Sequence, residues 1–497
     1  MTSSSKQSVG RGAAYIYIEN IVALSSGYVL WLALSKITTS GVIGIASTVV
    51  SLAAIFSIFV TIGIPNGVPR FLGKSFSERN LEYAKLFVKA TILLVSLGIA
   101  ILSVIILILR NWIFSDLDFS LIILSIVLMG SSAIEVLFRS IVISAQKTKV
   151  LVTQRIVSSV AKVVVTIILI LMGAGALGIT IGYTFGHIIS SILLTFTLVT
   201  IFKTCKSTPQ IRFTNTCKSI LVAGIVSWIP ALIATIGAQL GTVIVFGSAG
   251  ASQAGTYFIA YSIFSAISTV TYSLLTTAFP VISAFQDGRK RVTWRLIKMS
   301  LVISIPVSSS LLFYSKNILG LIGQDYVKGS ASLEILLLSM VPIAVVTGIT
   351  TLVYVYGNYK QVLIIGLATN IPRTLLYFIL VPVYDAVGAA MSITIGSAIG
   401  FFASIIIAKK IGMQLFWKDL FLMSIIPLGL AFILAYFQIN YIIGIIVTII
   451  ISYTLFFKLQ ILNRSDIQGS LGILPHSISN PITKFLSTLE KKLNRLY

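Results

Sequence analysis

The chain has 497 residues, of which 57% are of apolar type and only 10% are Asp, Glu, Lys or Arg, with a mean hydropathy of +1.03. A soluble chain carries about a quarter of its residues as charges, so a water-soluble fold is excluded. The 36 basic residues outnumber 13 acidic ones for a net +23, but they concentrate in alternate loops, the pattern of Lys and Arg retained on the cytoplasmic side against anionic lipid headgroups. Nucleic acid is therefore not expected as a partner, and anionic membrane lipids are.

The apolar residues fall into about fourteen blocks, each long enough to cross a hydrocarbon core of about 30 Å as a helix. A β-barrel would instead alternate polar and apolar residues over about ten positions per strand. In chain order the predicted spans are 12–35, 42–68, 86–109, 119–145, 151–172, 177–201, 220–246, 254–280, 296–315, 332–356, 360–381, 386–408, 419–437 and 440–457. The first follows Lys6 and Arg11 without a small-residue cleavage site, so it is expected to be a retained helix. With the N-terminus inside, thirty of the 36 basic residues lie on inner segments. Only Lys36, Arg110, Lys316 and Lys328 lie outside, and Lys162 and Arg373 fall within spans. A missed or invented span would invert every later loop, so both termini are expected to be cytoplasmic, in a multi-pass protein of the cell membrane.

Cys205 and Cys217 share one inner loop and imply neither a disulfide framework nor a metal site. Two histidines in the whole chain make a histidine-based zinc site improbable. In the tail, 459–497, Asn480-Pro481 reads as a helix start. Ile482, Phe485, Leu486, Leu489, Leu493 and Leu496 then share one face opposite Lys484, Lys491, Lys492 and Arg495. Two readings stay open: a helix lying on the inner membrane surface, or a frayed basic tail.

A spacing of about 211 residues recurs. Gly44 maps to Gly255, Pro69 to Pro280, Lys149 to Lys360 and Lys162 to Arg373; after a one-residue slip, Gly178 maps to Gly388 and Gly186 to Gly396. The shift is six spans, an even number, so both halves keep the same orientation in the membrane. The expected architecture is an all-α polytopic membrane protein with two pseudo-symmetric six-helix lobes, 1–205 and 213–410. Two further helices occupy 411–458. A cavity between such lobes can open alternately to either side, which makes transport the default function.

Polar residues inside spans are costly unless they face water or a partner. Lys162 lies midway along its span among Ser158, Ser159 and Thr166; its repeat mate Arg373 lies midway along another, beside Asn370 and after Pro372. Neither has an acid nearby in its own span, so an anion is the natural complement, and a phosphate or diphosphate headgroup suits ammonium and guanidinium donors. The alternatives are that these cations pair with Glu19 or Glu135, or snorkel to an interface. Glu135 and Arg139 stand four apart, a spacing that permits a structural ion pair within one helix. Glu19, next to Asn20, has no neutralising neighbour in its own span except Arg11 about two turns away, and is a coupling candidate for H⁺ or Na⁺; a plain structural contact is equally open. Further cavity candidates are Trp228, Pro230 and Gln239, with Tyr257 and Tyr261. Their aromatic rings suit sugar stacking as well as ordinary packing. His187 is a packing residue or a proton-sensitive one. No Walker loop and no acid/base or nucleophile arrangement occurs in a loop, so ATP hydrolysis and other enzymatic activity are not expected.

Residues 33–73, ALSKITTSGVIGIASTVVSLAAIFSIFVTIGIPNGVPRFLG, resemble the opening of the polysaccharide-transporter branch of the multidrug/oligosaccharidyl-lipid/polysaccharide exporter superfamily. Residues 255–285, GTYFIAYSIFSAISTVTYSLLTTAFPVISAF, are similar to its eighth span, and 354–397, YVYGNYKQVLIIGLATNIPRTLLYFILVPVYDAVGAAMSITIGS, to its eleventh and twelfth. The resemblance implies a flippase that moves a polyprenyl- or dolichyl-(di)phosphate-linked sugar or oligosaccharide from the inner to the outer leaflet by alternating access, for surface polysaccharide or glycan assembly. It also implies basic residues in the central cavity, a role that Lys162 and Arg373 fit. Glycosyltransferases, a polymerase or a ligase of the same pathway are the protein partners it suggests. Gln239-Leu240-Gly241-Thr242 departs from the family by placing no charge in that part of span 7. The other reading is a proton- or sodium-driven multidrug exporter of the same superfamily. No bound cofactor is expected, and the membrane potential is a sufficient driving force for an anionic lipid.

Overall fold

The computed structural model describes residues 3–78, 80–113, 117–203 and 213–462, and every regular element among them is helical. Cys205 and the tail segment from Asn480 onward lie outside the described residues. The helices are α1 (Ser3–Ile37), α2 (Ser40–Thr61), α3 (Ile64–Ser77), α4 (Leu81–Ile113), α5 (Phe119–Ser144), α6 (Thr148–Leu171), α7 (Gly175–Phe202) and α8 (Phe213–Thr277). They continue with α9 (Phe279–Ala284), α10 (Arg289–Phe313), α11 (Ser315–Ile322), a 3₁₀ turn Gln324–Gly329, α12 (Ser330–Leu337), α13 (Met340–Val355), α14 (Tyr359–Lys410), α15 (Trp417–Tyr436) and α16 (Tyr441–Lys458).

Eleven of these are long and apolar enough to cross a membrane, or twelve if Gln324–Leu337 and Met340–Val355, bent by 44°, are one crossing. The chain is thus an all-α, multi-pass membrane protein. Two helices are far longer than a bilayer needs. At about 1.5 Å per residue, the 52 residues of α14 and the 65 of α8 exceed twice the roughly 30 Å hydrocarbon thickness. Each is broken once, at Gly250 (φ 82°, ψ 177°) and at Asp385 (φ 49°, ψ −130°). Gly250 lies between the predicted spans 220–246 and 254–280, and Asp385 between 360–381 and 386–408.

Local sequence explains the other ends. Thr39 caps α2, its hydroxyl oxygen accepting from the Val42 N–H at 3.4 Å. That helix stops where Ile62 and Gly63 take left-handed backbone (φ 44° and 67°), and Pro65 opens α3 in a new direction. The αL residue Gly63 is required by space as well: a side chain there would strike the Gly224 carbonyl of α8.

Two compact units divide the described chain. The first comprises Met1–Ile259 and Leu376–Ala389. Its apolar core runs through Leu52, Val60, Ile64, Leu72, Phe87, Met129, Leu137 and Ile141, and α6 packs along α7 and α1 while α5 packs along α7 and α2. The second comprises Ala260–Leu375 and Ala390–Tyr497. There α10 is the central helix, contacting α12, α13, α15 and α16. Tyr314 ties α16 in by donating to the Ile439 carbonyl at 3.3 Å and filling the space over Gly444.

Repeat-related positions make matching local contacts. In the first unit, a methyl group on Gly186 of α7 would lie 2.9 Å from Cβ of Lys162; in the second, one on Gly396 would lie 2.7 Å from Cβ of Arg373. In both cases a glycine lets the neighbouring helix turn press against the stem of a midspan cation. Gly44 of α2 and Gly255 of α8 are in direct opposition. A side chain on Gly44 would meet the Ala251 carbonyl, and one on Gly255 the Ser40 carbonyl. The hydroxyls of Ser40 and Ser252 lie 3.0 Å apart at the same crossing.

Candidate functional site

Four helices of the first unit, α1, α5, α6 and α7, bring their polar residues to one place. Glu19 of α1 is 1% exposed. Arg139 of α5 grips its carboxylate, with Nε at 2.8 Å and 3.0 Å from the two oxygens and Nη2 at 2.7 Å. Nη2 also reaches Asn20 Oδ1 at 3.4 Å. Arg155 of α6 donates from Nη2 to Glu19 at 3.1 Å and lies 3.0 Å from Glu135 of α5. Glu135 completes the chain through a short hydrogen bond to Nδ1 of His187 on α7. The order Arg139, Glu19, Arg155, Glu135, His187 alternates cation and anion. Buried charges are tolerable when each has partners of opposite sign, and here each carboxylate has two basic neighbours.

The ion pair expected within α5 is not the one formed. Arg139 turns to Glu19 and Glu135 turns to Arg155 and His187, because a fork of two or three charge-assisted hydrogen bonds outweighs a single contact along one helix. Glu19 likewise is not the uncompensated acid that its own span suggests, since the neutralising guanidinium groups come from α5 and α6.

Lys162 lies two turns beyond Arg155 on α6. Among the described residues no carboxylate is within ion-pair distance of its ammonium, which sits 4.7 Å from the centre of the Tyr183 ring. A cation over a ring face is favourable and leaves its N–H donors available at the rim. Tyr183 also packs against Trp31, at 5.6 Å between ring centres, and Ser26 of α1 donates to Ser159 at 3.1 Å. A chamber of about 30 Å³ is lined by Glu135, Arg155, Ser158, Ser159, Lys162, Tyr183, Gly186 and His187, about the space of one water molecule. Two carboxylates are thus shared between two guanidinium groups and an imidazole, and the Lys162 ammonium stands in addition to them. Arg155 Nε is buried with no hydrogen-bond partner.

Tyr183 and His187 also border a second cavity, of about 310 Å³, between α2, α5, α7 and α8. Its other walls include Val50, Ala53, Ala54, Ser57, Ile58, Leu128, Ser132 and Val136. His187 is 29% exposed.

The structure therefore joins Lys162, Glu19, Glu135, Arg139 and His187, which the sequence offers as separate candidates. The other candidates make contacts of their own. Trp228 donates its indole N–H to the Ile58 carbonyl at 2.8 Å and stacks edge-on with Phe59. Tyr257 is buried, with its ring end against Gly241, where Tyr377 also packs. Gln239 is half-buried on α8. In the second unit, Tyr261 packs on Phe264, and Asn370 donates to the Gly366 carbonyl of its own helix at 2.9 Å. Arg373 donates from Nη2 to Ser397 at 3.3 Å, and its Nε is buried without a partner.

Arg155 and Tyr183 are the residues that sequence reasoning misses. By position Arg155 counts among the inner loop charges, yet Arg155, Ser158, Ser159, Lys162 and Thr166 recur at three- and four-residue intervals. That is one polar face on an otherwise apolar helix, and it is the available signal.

The family model for polysaccharide biosynthesis proteins matches residues 9–286. The chain belongs to this family. Comparison with the curated proteins gives no match. Among solved structures it is similar to the lipid II flippase MurJ in an inward closed conformation, at 16% identity and a TM-score of 0.62, over 87% of this chain and 99% of that one. It is similar also to a point mutant of the Vibrio cholerae MATE transporter VcmN (13%, TM-score 0.55, 82% and 97%). An inward-facing multidrug resistance MATE transporter of the MOP superfamily matches at 13% identity, TM-score 0.56, over 77% and 97%. At these identities the likeness is one of fold, shared with the lipid II flippase and with the MATE transporters. Among the described residues no group of His, Cys, Asp and Glu is arranged to hold a metal ion.

Proposed function

We propose that the protein is a flippase for a polyprenyl- or dolichyl-linked saccharide, carrying its phosphate or diphosphate headgroup from the inner to the outer leaflet by alternating access. Counting α8 and α14 as two crossings each, and the bent pair as one, gives fourteen spans, which returns the chain to the cytoplasmic side.

One observation carries the substrate class. Lys162 lines a polar chamber with Glu135, Arg155 and His187, and the two carboxylates of the cluster, Glu19 and Glu135, are already engaged by Arg139, Arg155 and His187. The surplus charge is positive, and an anionic headgroup is its complement. The barrier to be lowered is the desolvation of that headgroup in hydrocarbon, which is prohibitive for an unshielded diphosphate. Fixed ammonium and guanidinium donors replace part of its hydration. In the second unit the unpartnered Nε of Arg373 supports a similar role for that residue. An exporter of cationic drugs would need an acid free to meet its cargo, and Glu19 and Glu135 are both engaged.

The test is flipping of a defined lipid-linked oligosaccharide in proteoliposomes. Lys162→Gln is expected to slow flipping by about tenfold or more, the effect of one lost charge-assisted contact of about 1.5–3 kcal/mol, while Lys162→Arg retains most of it. Flipping and headgroup affinity unchanged in Lys162→Gln would overturn the reading.

A further inference from the structure

The cavity of about 310 Å³ beside the polar chamber is not accounted for by headgroup binding. We infer that it holds the first hydrocarbon units of the carrier lipid, those next to the phosphate, so that the site recognises the junction between chain and headgroup rather than the headgroup alone. This rests on the flippase reading and adds a lipid-binding subsite to it.

The wall chemistry carries the inference. Val50, Ala53, Ala54 and Ile58 of α2, with Leu128 and Val136 of α5, present aliphatic carbon. Of the four Ser and Thr hydroxyls among them, three spend their proton within their own helix: Thr61 donates to the Ile58 carbonyl, Ser132 to Met129 and Thr235 to Ala231, at 3.4, 2.9 and 2.8 Å, which leaves Ser57 as the remaining hydroxyl. A sugar placed there would exchange its water for far fewer donors than it has hydroxyls, at a cost of a few kcal/mol per unmet polar group; a hydrocarbon loses nothing of the kind. The volume is at the low end of the roughly 300–1,000 Å³ of small-ligand pockets, enough for a short length of chain and far too small for a whole carrier.

Charge fixes the orientation. The pocket's polar border is formed by Tyr183 and His187, the same two residues that line the chamber of Lys162 and Arg155. A chain lying along α2 and α5 therefore ends, at this border, next to three basic side chains. An apolar slot leading to a positive end is the complement of an isoprenoid or acyl phosphate. It does not suit a neutral amphiphile or a cation.

The test uses geranyl diphosphate, a ten-carbon isoprenoid, with inorganic pyrophosphate and geraniol as its two fragments, titrated into the full-length protein in nanodiscs. Geranyl diphosphate is expected to bind at least tenfold tighter than either fragment. Ala54→Phe, which fills the slot, should bring it down to the affinity of pyrophosphate, whereas Lys162→Gln should bring it down to that of geraniol. Ser132→Leu fills the slot from the opposite helix and serves where Ala54→Phe does not fold. Equal affinity for geranyl diphosphate and pyrophosphate, or folded slot-filling variants without effect, would overturn the inference. If Lys162→Gln alone weakens binding, the subsite falls and the flippase reading stands. If the slot variants weaken binding while Lys162→Gln leaves flipping intact, the subsite stands and the headgroup role of Lys162 falls.

Discussion

Glu19 is buried to 1% and engaged by two guanidinium groups from different helices. Removing it leaves two cations facing one another across α5 and α6. Glu19→Ala is expected to cost about 3–5 kcal/mol, the usual penalty for breaking one side of a buried pair, seen as a lower unfolding temperature in detergent; adding Arg139→Ala should restore part of that loss. Compensation also separates the two coupling candidates. His187 is 29% exposed and borders both cavities, whereas Glu19 is sealed. A proton-gradient dependence of flipping is therefore expected to survive in Glu19→Gln and to change in His187→Gln, measured in proteoliposomes under imposed gradients. The sequence identifies most members of this cluster by their cost inside a membrane. It cannot assign their partners, because Arg139, Glu19, Arg155 and Glu135 meet through the packing of α1, α5 and α6, and the one ion pair visible at helical spacing is not the one that packing favours.

Helices meet here through glycine. Gly44 and Gly255 bring the backbones of α2 and α8 to a separation that no side chain allows. Gly44→Val or Gly255→Val would force these helices apart, and either is expected to lower stability by more than about 3 kcal/mol and to abolish flipping, since the new atoms meet rigid backbone rather than a movable side chain. Asp385 is the opposite case. It holds φ 49°, ψ −130° at the break in α14, a conformation that glycine adopts with far less strain. Asp385→Gly is expected to raise the unfolding temperature, by up to about 1 kcal/mol of added stability. That the chain is an all-helical, multi-pass membrane protein could be read from hydropathy, and the breaks at Gly250 and Asp385 fall in the intervals between predicted spans. What hydropathy does not reveal is that in these intervals one helix follows another across a kink at a positive-φ residue, Gly250 (φ 82°) or Asp385 (φ 49°), nor that α12 and α13 meet at a 44° bend. A run of apolar residues looks the same whether the helix through it is straight or bent.

For the molecule as a whole, the proposed anionic cargo makes the membrane potential a driving force. Moving one negative charge outward across 100 mV, positive outside, is favourable by about 2.3 kcal/mol. Imposing that polarity on proteoliposomes with a potassium gradient and valinomycin is expected to speed net outward movement of a lipid-linked diphosphate, and reversing it to slow it. A rate indifferent to potential would mean that a counter-ion travels with the substrate. The α2 and α8 crossing has one more consequence. Under the 211-residue spacing, Gly44 corresponds to Gly255 and Ser40 to Ala251, and the clashes that these glycines avoid are reciprocal, Gly44 with Ala251 and Gly255 with Ser40. Contact of i with j answered by j with i is the signature of a two-fold interface between identical subunits. By that reciprocity the two glycines are equivalent at the crossing, and a methyl group added at either one meets a backbone carbonyl of the other helix.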